Sequence, residues 1–215
     1  MTRIVPIYPK DLNELQRQAK MLLYSGVFKP SWQTRDNAEA ALAECCVVIQ
    51  RGMDVGLSPT QSIEGIAIIN GKTLIYGDTL TAVLWAAGCV IEKWTEGEGD
   101  KMVGHAKITR PDGLVIQKSY SHAEAEQANL VDYRETVTDK RGKTKPNDAP
   151  WFRFRPRMLE WRAFGFAVKD GASDFSKGIA MMEEMAPFAN DPVEATNEIN
   201  ETIDRPTQIP AIPEG

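Results

Sequence analysis

The chain has 215 residues, of which 42% are hydrophobic and 26% charged, and its formal net charge is −5. This length allows one domain with tails or two small domains at most, and the composition is typical of a soluble globular protein. No apolar run approaches the roughly 20 residues that span a bilayer. The N-terminus also lacks an apolar signal segment, so we predict a cytoplasmic protein without a membrane partner.

Two helices are predicted first. Asp11 is placed to cap a helix that ends near Gly26, because an Asp side chain before the first turn accepts its free N–H groups and glycine ends it. A second helix carries apolar residues at helical spacing between positions 38 and 49 and ends at Gly56 and Pro59.

Two hairpins and two short helices are predicted next. Asn70-Gly71 lies between β-rich runs and indicates a type I′ turn, which needs positive φ at both central residues. A short apolar helix with Asp78 as its N-cap follows. A β-meander then contains a second hairpin that turns at residues 111–113, and Ser121 with Glu124 forms a capping box for another short helix.

The remaining chain divides into a polar loop, a helix and a tail. Residues 131–150 are polar and rich in Lys and Arg, which predicts a mobile loop, and a helix is predicted from about Pro156 to Lys169. Together these elements predict an α+β fold, with a small antiparallel β-sheet of two hairpins packed with helices. We expect residues 1–186 to form one domain and the Pro-rich, acidic residues 187–215 to be a disordered tail.

Charge is distributed unevenly along the chain. Residues 1–100 carry nine Lys/Arg against twelve Asp/Glu, residues 101–169 carry fourteen against eight, and residues 170–215 carry two against ten. The middle segment is therefore +6 and the last segment −8. A basic segment beside an acidic one predicts a polyanion-binding surface with an acidic appendage.

Catalytic motifs are not recognisable in the sequence. The two histidines and three cysteines lack metal-ligand spacing, and neither a phosphate-binding loop nor a nucleophile motif is present. We therefore predict no enzyme, no ATP use, no metal and no cofactor. A metal-dependent nuclease that uses scattered carboxylates, such as Asp54, Glu64 and Asp78, is the least favoured alternative.

The segment PWFRFRPRMLEWRAFGF, residues 150–166, holds four arginines and six aromatic residues. We expect an extended lead-in to a helix that is apolar nearly all round and therefore buried. Four phenylalanines are predicted to belong to the core: Phe152, Phe154, Phe164 and Phe166. The arginines are predicted to bind phosphate, because the guanidinium fork fits it: Arg153, Arg155, Arg157 and Arg162. Trp151 either stacks on a nucleic-acid base or closes the core.

Two segments resemble the RecT/Red-beta family of phage single-strand annealing proteins. LAECCVVIQRGMDVGLSP followed by IAIINGKTLIYGDTLTAVLWAAG is similar to the N-terminal half of that family. W…RPRMLEWRAFGFAVKD resembles the family's W…P-K-R-M-L…R-A…A-F helix, which contributes to the DNA-binding groove. The segments cover about residues 36–90 and 150–170, in the order that the family has.

The resemblance implies phage-type homologous recombination without ATP, by a phage- or prophage-encoded protein in the bacterial cytoplasm. Proteins of this family bind single-stranded DNA, form oligomeric rings or helical filaments, and anneal complementary strands into duplex DNA. They usually act beside a 5′→3′ exonuclease, and some contact the host single-strand-binding protein. A module that protects single-stranded nucleic acid without annealing it is the alternative.

The resemblance also assigns site residues. Arg157 matches the arginine of the family's R-M-L motif, Arg162 falls at a basic position that faces DNA, and Lys72 falls in the hairpin loop, another region of DNA contact. Pro156 occupies the family's lysine position, and Arg155 lies one place earlier. The stretch TDKRGKTKPND looks like an insertion, and its basic residues are predicted to reach a second strand: Lys140, Arg141, Lys143 and Lys145.

The acidic tail has three open interpretations. It is an inert linker, a partner-binding peptide, or an intramolecular mimic of DNA that covers the basic groove. The third interpretation depends on the opposite charges of the last two segments.

Overall fold

The structure, a computed structural model, describes residues 7–31, 34–138 and 142–185. In these ranges the chain forms the helices α1 (Leu12–Tyr24), α2 (Ala38–Asp54), α3 (Pro59–Gly65), α4 (Gly77–Ala86), α5 (His122–Gln127), α6 (Pro150–Arg153), α7 (Arg155–Gly171), α8 (Ser173–Ser176) and α9 (Met182–Met185). The strands are β1 (Ile66–Ile69), β2 (Lys72–Ile75), β3 (Val90–Glu96), β4 (Val103–Thr109), β5 (Val115–Ser121), β6 (Thr136–Thr138), β7 (Thr144–Pro146) and β8 (Ala180–Met181). The predicted α+β fold, with antiparallel hairpins packed with helices, is confirmed.

The first sheet has the strand order β1-β2-β8. Its hairpin is the one predicted from Asn70-Gly71, since both residues have positive φ and Ile69 pairs with Lys72 across the turn. The third strand, β8, lies parallel to β2, with Leu74 opposite Ala180. This strand comes from more than 100 residues later in the chain, and the local sequence pattern did not predict it.

The second sheet is the meander β3-β4-β5, and α7 packs across one of its faces. Three residues of β4 lie under the helix: Gly104, Ala106 and Ile108. Ala106 and Ile108 are fully buried. A Cβ atom added at Gly104 would lie 2.4 Å from the backbone carbonyl carbon of Leu159. Glycine at position 104 therefore allows α7 to approach β4 more closely than any residue with a Cβ atom would.

The N-terminal helices begin at side-chain caps. Asp11 accepts a hydrogen bond from the Glu14 backbone N–H at 2.8 Å, as predicted, and Asn37 caps α2. α3 was not predicted, because Pro59 was interpreted as the end of α2. In the structure Pro59 occupies the first turn of α3, and Ser58 caps that helix in a box with Gln61.

Three other expectations are corrected. Asp78 lies in the first turn of α4 and makes no side-chain cap; the Gly77 N–H donates instead to the Glu183 carboxylate. The polar segment expected to be a loop contains the hairpin β6–β7. Residues 150–153 form one helical turn rather than an extended lead-in, because Pro150 begins α6 and the Phe154 N–H donates to its carbonyl.

The acidic tail, residues 187–215, lies outside the described residues. Among the residues that the structure does describe, none of the helices has the length and apolar character needed to cross a membrane.

Candidate nucleic-acid interface

The turn between α6 and α7 presents three guanidinium groups, which we call the arginine surface: Arg153, Arg155 and Arg157. The body of α7 behind them is buried against the meander, including Leu159 and Phe164, which are fully enclosed. This packing fixes the helix and leaves its first turn at the surface. The arginine surface is thus carried by a rigid element, which suits a binding site.

Arg157 is the most clearly defined member of this surface. Its side chain is 60% exposed, and its Nη2 lies 3.5 Å from Oδ1 of Asp78. The guanidinium also sits over the Trp161 ring, 5.7 Å from its centre. An exposed pair of this kind contributes about 0–1 kcal/mol, so an incoming phosphate can displace Asp78 at little cost.

Arg155 is held by an aromatic partner. Its guanidinium lies 4.9 Å from the centre of the Tyr133 ring. The Tyr133 hydroxyl donates to Glu126 at 2.5 Å and lies 3.1 Å from Nε2 of the buried His122. The hydrogen bond to Glu126 is the main reason that the pKa of Tyr133 rises to about 12. Tyr133 therefore stays neutral at physiological pH and offers its face to the cation.

Arg153 connects the arginine surface to the hairpin β6–β7. It is exposed, and its charge acts on Asp148, whose carboxylate pairs with Lys145 at 3.3 Å. The Lys145 hydrogen bond is the largest cause of the lowered pKa of Asp148. Lys143 is exposed on the same hairpin. The other two predicted basic residues, Lys140 and Arg141, lie outside the described residues.

Asn147 joins that hairpin to α6 and was not predicted. It is buried, and its side-chain amide donates to the Arg134 carbonyl at 2.9 Å. Its side-chain oxygen accepts from the Ala149 N–H at 3.0 Å. The Asn-Asp-Ala-Pro sequence before the helix was the available signal, since Asn readily bonds backbone groups two residues on.

Two predicted DNA-contact residues lie in the interior. Trp151 is 7% exposed, so of its two interpretations the structure supports the one in which it closes the core. Arg162 is 9% exposed and lies close enough to Tyr120 to oppose the rise in the Tyr120 pKa that burial causes. The structure therefore does not place Arg162 on the arginine surface.

Phe154 is the opposite case. It was expected in the core, but 56% of its surface is exposed, between Arg153 and Arg155. The reason is the α6 turn, which replaces the alternating extended lead-in and rotates this ring outward. An aromatic ring between cations is the arrangement that stacks on single-stranded bases while phosphates are neutralised beside it.

Lys72 is exposed at the tip of the β1–β2 hairpin, as expected. The strand β2 runs from Lys72 toward Gly77, which packs on the Trp161 ring beside the arginine surface. Five residues of extended chain span about 17 Å. Lys72 therefore lies at the opposite end of β2 from Gly77.

Lys93 is a basic residue near this surface that sequence reasoning missed. Its ammonium lies 3.5 Å from the centre of the Trp161 ring and 4.9 Å from that of Phe164. Burial lowers the pKa of Lys93, while the nearby carboxylates of Asp78, Glu160 and Glu183 oppose this change. The alternation of β3 gave the signal, because it puts Lys93 on the same sheet face as Ile91.

Within the described ranges, no group of three or more His, Cys, Asp or Glu side chains lies close enough together to hold a metal ion. Comparisons of the chain with protein-family models, curated proteins and solved structures returned no significant match. The similarity to the RecT/Red-beta family thus stays a prediction from the sequence segments themselves.

Proposed function

We propose that this protein binds single-stranded DNA and anneals complementary strands without ATP, as an oligomer in phage-type homologous recombination. The observation that carries the proposal is the arginine surface, with the exposed Phe154 between its cations. Arginine neutralises phosphates through its fork of donors, and an aromatic ring stacks on bases of any sequence. The two interactions together suit a protein that holds a single strand and does not read its sequence.

The proposed mechanism is non-covalent. Aligned subunits hold one strand by its phosphates, so that its bases remain available, and a complementary strand is captured by base pairing. In this proposal Lys143 and Lys145, which are exposed on the β6–β7 hairpin that Asn147 joins to α6, contact the incoming strand. In this proposal a 5′→3′ exonuclease supplies the single strand.

Salt dependence of binding tests the arginine surface. Binding of a labelled single-stranded oligonucleotide is measured at a series of salt concentrations, for the wild type and for Arg153→Gln/Arg157→Gln. The plot of log K against log salt should have a slope about 1.4 less steep in the double variant, since each phosphate contact on a single strand contributes roughly 0.7. The control variant Arg17→Gln/Arg35→Gln makes the same change in net charge at exposed positions on and beside the N-terminal helices. An unchanged slope in the Arg153/Arg157 variant would move the site elsewhere.

A second measurement separates annealing from protection. Two complementary labelled oligonucleotides are mixed with and without the protein, and duplex formation is followed by energy transfer. Faster duplex formation that depends on Arg153 and Arg157 is the expected result. Tight binding without acceleration would instead establish the protector alternative.

A further inference from the structure

The described chain ends beside the arginine surface. The strand β8 pairs with β2, and α9, which follows it, packs against α7. Both carboxylate oxygens of Glu183 lie 3.1 Å from the Gly77 backbone nitrogen. The start of the C-terminal segment is therefore fixed in position relative to α7.

The distance from this point to Arg157 is short. Gly77 immediately precedes Asp78, whose carboxylate is the partner of Arg157 at 3.5 Å. A Cβ atom added at Gly77 would meet the ring of Trp161, one turn of α7 beyond Arg157. Glu183 thus brings a carboxylate from the C-terminal segment close to Asp78, which is the partner of Arg157.

The segment that follows is strongly acidic. Residues 186–215 contain six Asp or Glu and a single basic residue, Arg205. A chain of thirty residues spans at most ~100 Å when extended, so their number is sufficient for their carboxylates to reach Arg153 and Arg157 from Met185. A tethered ligand at such distances has an effective concentration of about 1 mM, enough for a weak electrostatic contact to form.

From this placement we propose that residues 186–215 dock through their carboxylates on the arginine surface and compete there with single-stranded DNA. The competition rests on the proposed function, whereas the docking itself does not need DNA. Contacts of this kind are screened within about 10 Å at 0.1 M salt, so the docked state forms at low ionic strength and dissolves at high ionic strength.

Docking is tested without DNA by the rate at which phenylglyoxal modifies individual arginines, measured by peptide mass spectrometry on the full chain. The test variant is Glu194→Gln/Glu198→Gln/Glu201→Gln. The matched control is Asp36→Asn/Glu39→Gln/Glu98→Gln, which changes the net charge equally at exposed sites elsewhere. At about 25 mM salt we expect Arg153 and Arg157 to react about threefold faster in the test variant than in the wild type, and equally fast at about 500 mM.

The result that overturns the proposal is equal reaction of Arg153 and Arg157 in wild type and test variant at low salt, or equal acceleration in the control. Arg17, which is exposed on α1, should react at one rate in all three proteins. Oligonucleotide binding is then measured in the same proteins, and the test variant should bind about threefold more tightly at low salt. Protection of the arginines without any DNA binding would refute the proposed function and leave the docking intact.

Discussion

Lys93, on the buried face of the meander, carries a desolvation cost for its positive charge. Lys93 packs its ammonium against Trp161 and Phe164, where desolvation favours the neutral form. Its pKa in the folded protein is therefore lower than in the unfolded chain. Between those two pKa values the unfolded chain binds more protons, so stability from this group is lost as pH falls and gained as pH rises.

This sign gives a measurable difference between the wild type and Lys93→Met. As pH rises toward the ordinary lysine value of 10.5, the free energy of unfolding of the wild type should increase relative to that of the variant. Urea unfolding at a series of pH values measures this difference. Titrations of groups that do not interact with Lys93 cancel in the comparison, and the neighbouring carboxylates, such as Glu183, are already ionised in the alkaline range. A pH-independent difference would mean that Lys93 is as well solvated as in the unfolded chain.

Gly104 is the second position where one residue decides the packing. Gly104→Ala should destabilise the fold by about 1–3 kcal/mol, because the new methyl group meets the α7 backbone and not a side chain that could rotate away. Chemical denaturation measures the loss, with Gln117→Ala on the exposed face of β5 as the control. If the two variants unfold at the same denaturant concentration, α7 has room to move from β4.

At the scale of elements, the site depends on how the hairpin β6–β7 meets α6. Asn147 forms the junction, because its side-chain amide donates to the Arg134 carbonyl and its side-chain oxygen accepts from the Ala149 N–H. Both groups would lose their partner in Asn147→Ala, which should cost about 1–3 kcal/mol of stability. Thermal unfolding checks this against Thr144→Ala, an exposed change on β7, which should be nearly neutral.

Sequence patterns predicted those elements whose causes are local. Asn70-Gly71 and the Ser121–Glu124 capping box were correct because a turn type and a cap depend on neighbouring residues only. The Asp78 cap failed because the acceptor for the Gly77 N–H comes from Glu183, 106 residues away. No local pattern contains a partner at that separation.

The same distinction applies to the candidate site. The sequence predicted that α7 is apolar nearly all round, but it also assigned Arg162, in the middle of that helix, to phosphate binding. The structure buries Arg162 instead, because α7 packs on almost all sides. Of the arginines around its start, Arg153 and Arg157 are exposed as expected, whereas Arg155 is half-buried. The exposure of Phe154 could not be predicted, because it depends on one turn of helix in place of an extended lead-in.

For the whole molecule, the pairing of β8 with β2 joins the C-terminal part of the described fold to the β1–β2 hairpin. A shortened version of the protein that stopped before Ala180 would turn β2 into an open edge, with backbone N–H and C=O groups free to pair with another chain. It would also deprive α4 of the Glu183 acceptor. Removal of the chain from Ala180 onward would therefore create a template for aggregation, rather than a smaller copy of the same domain.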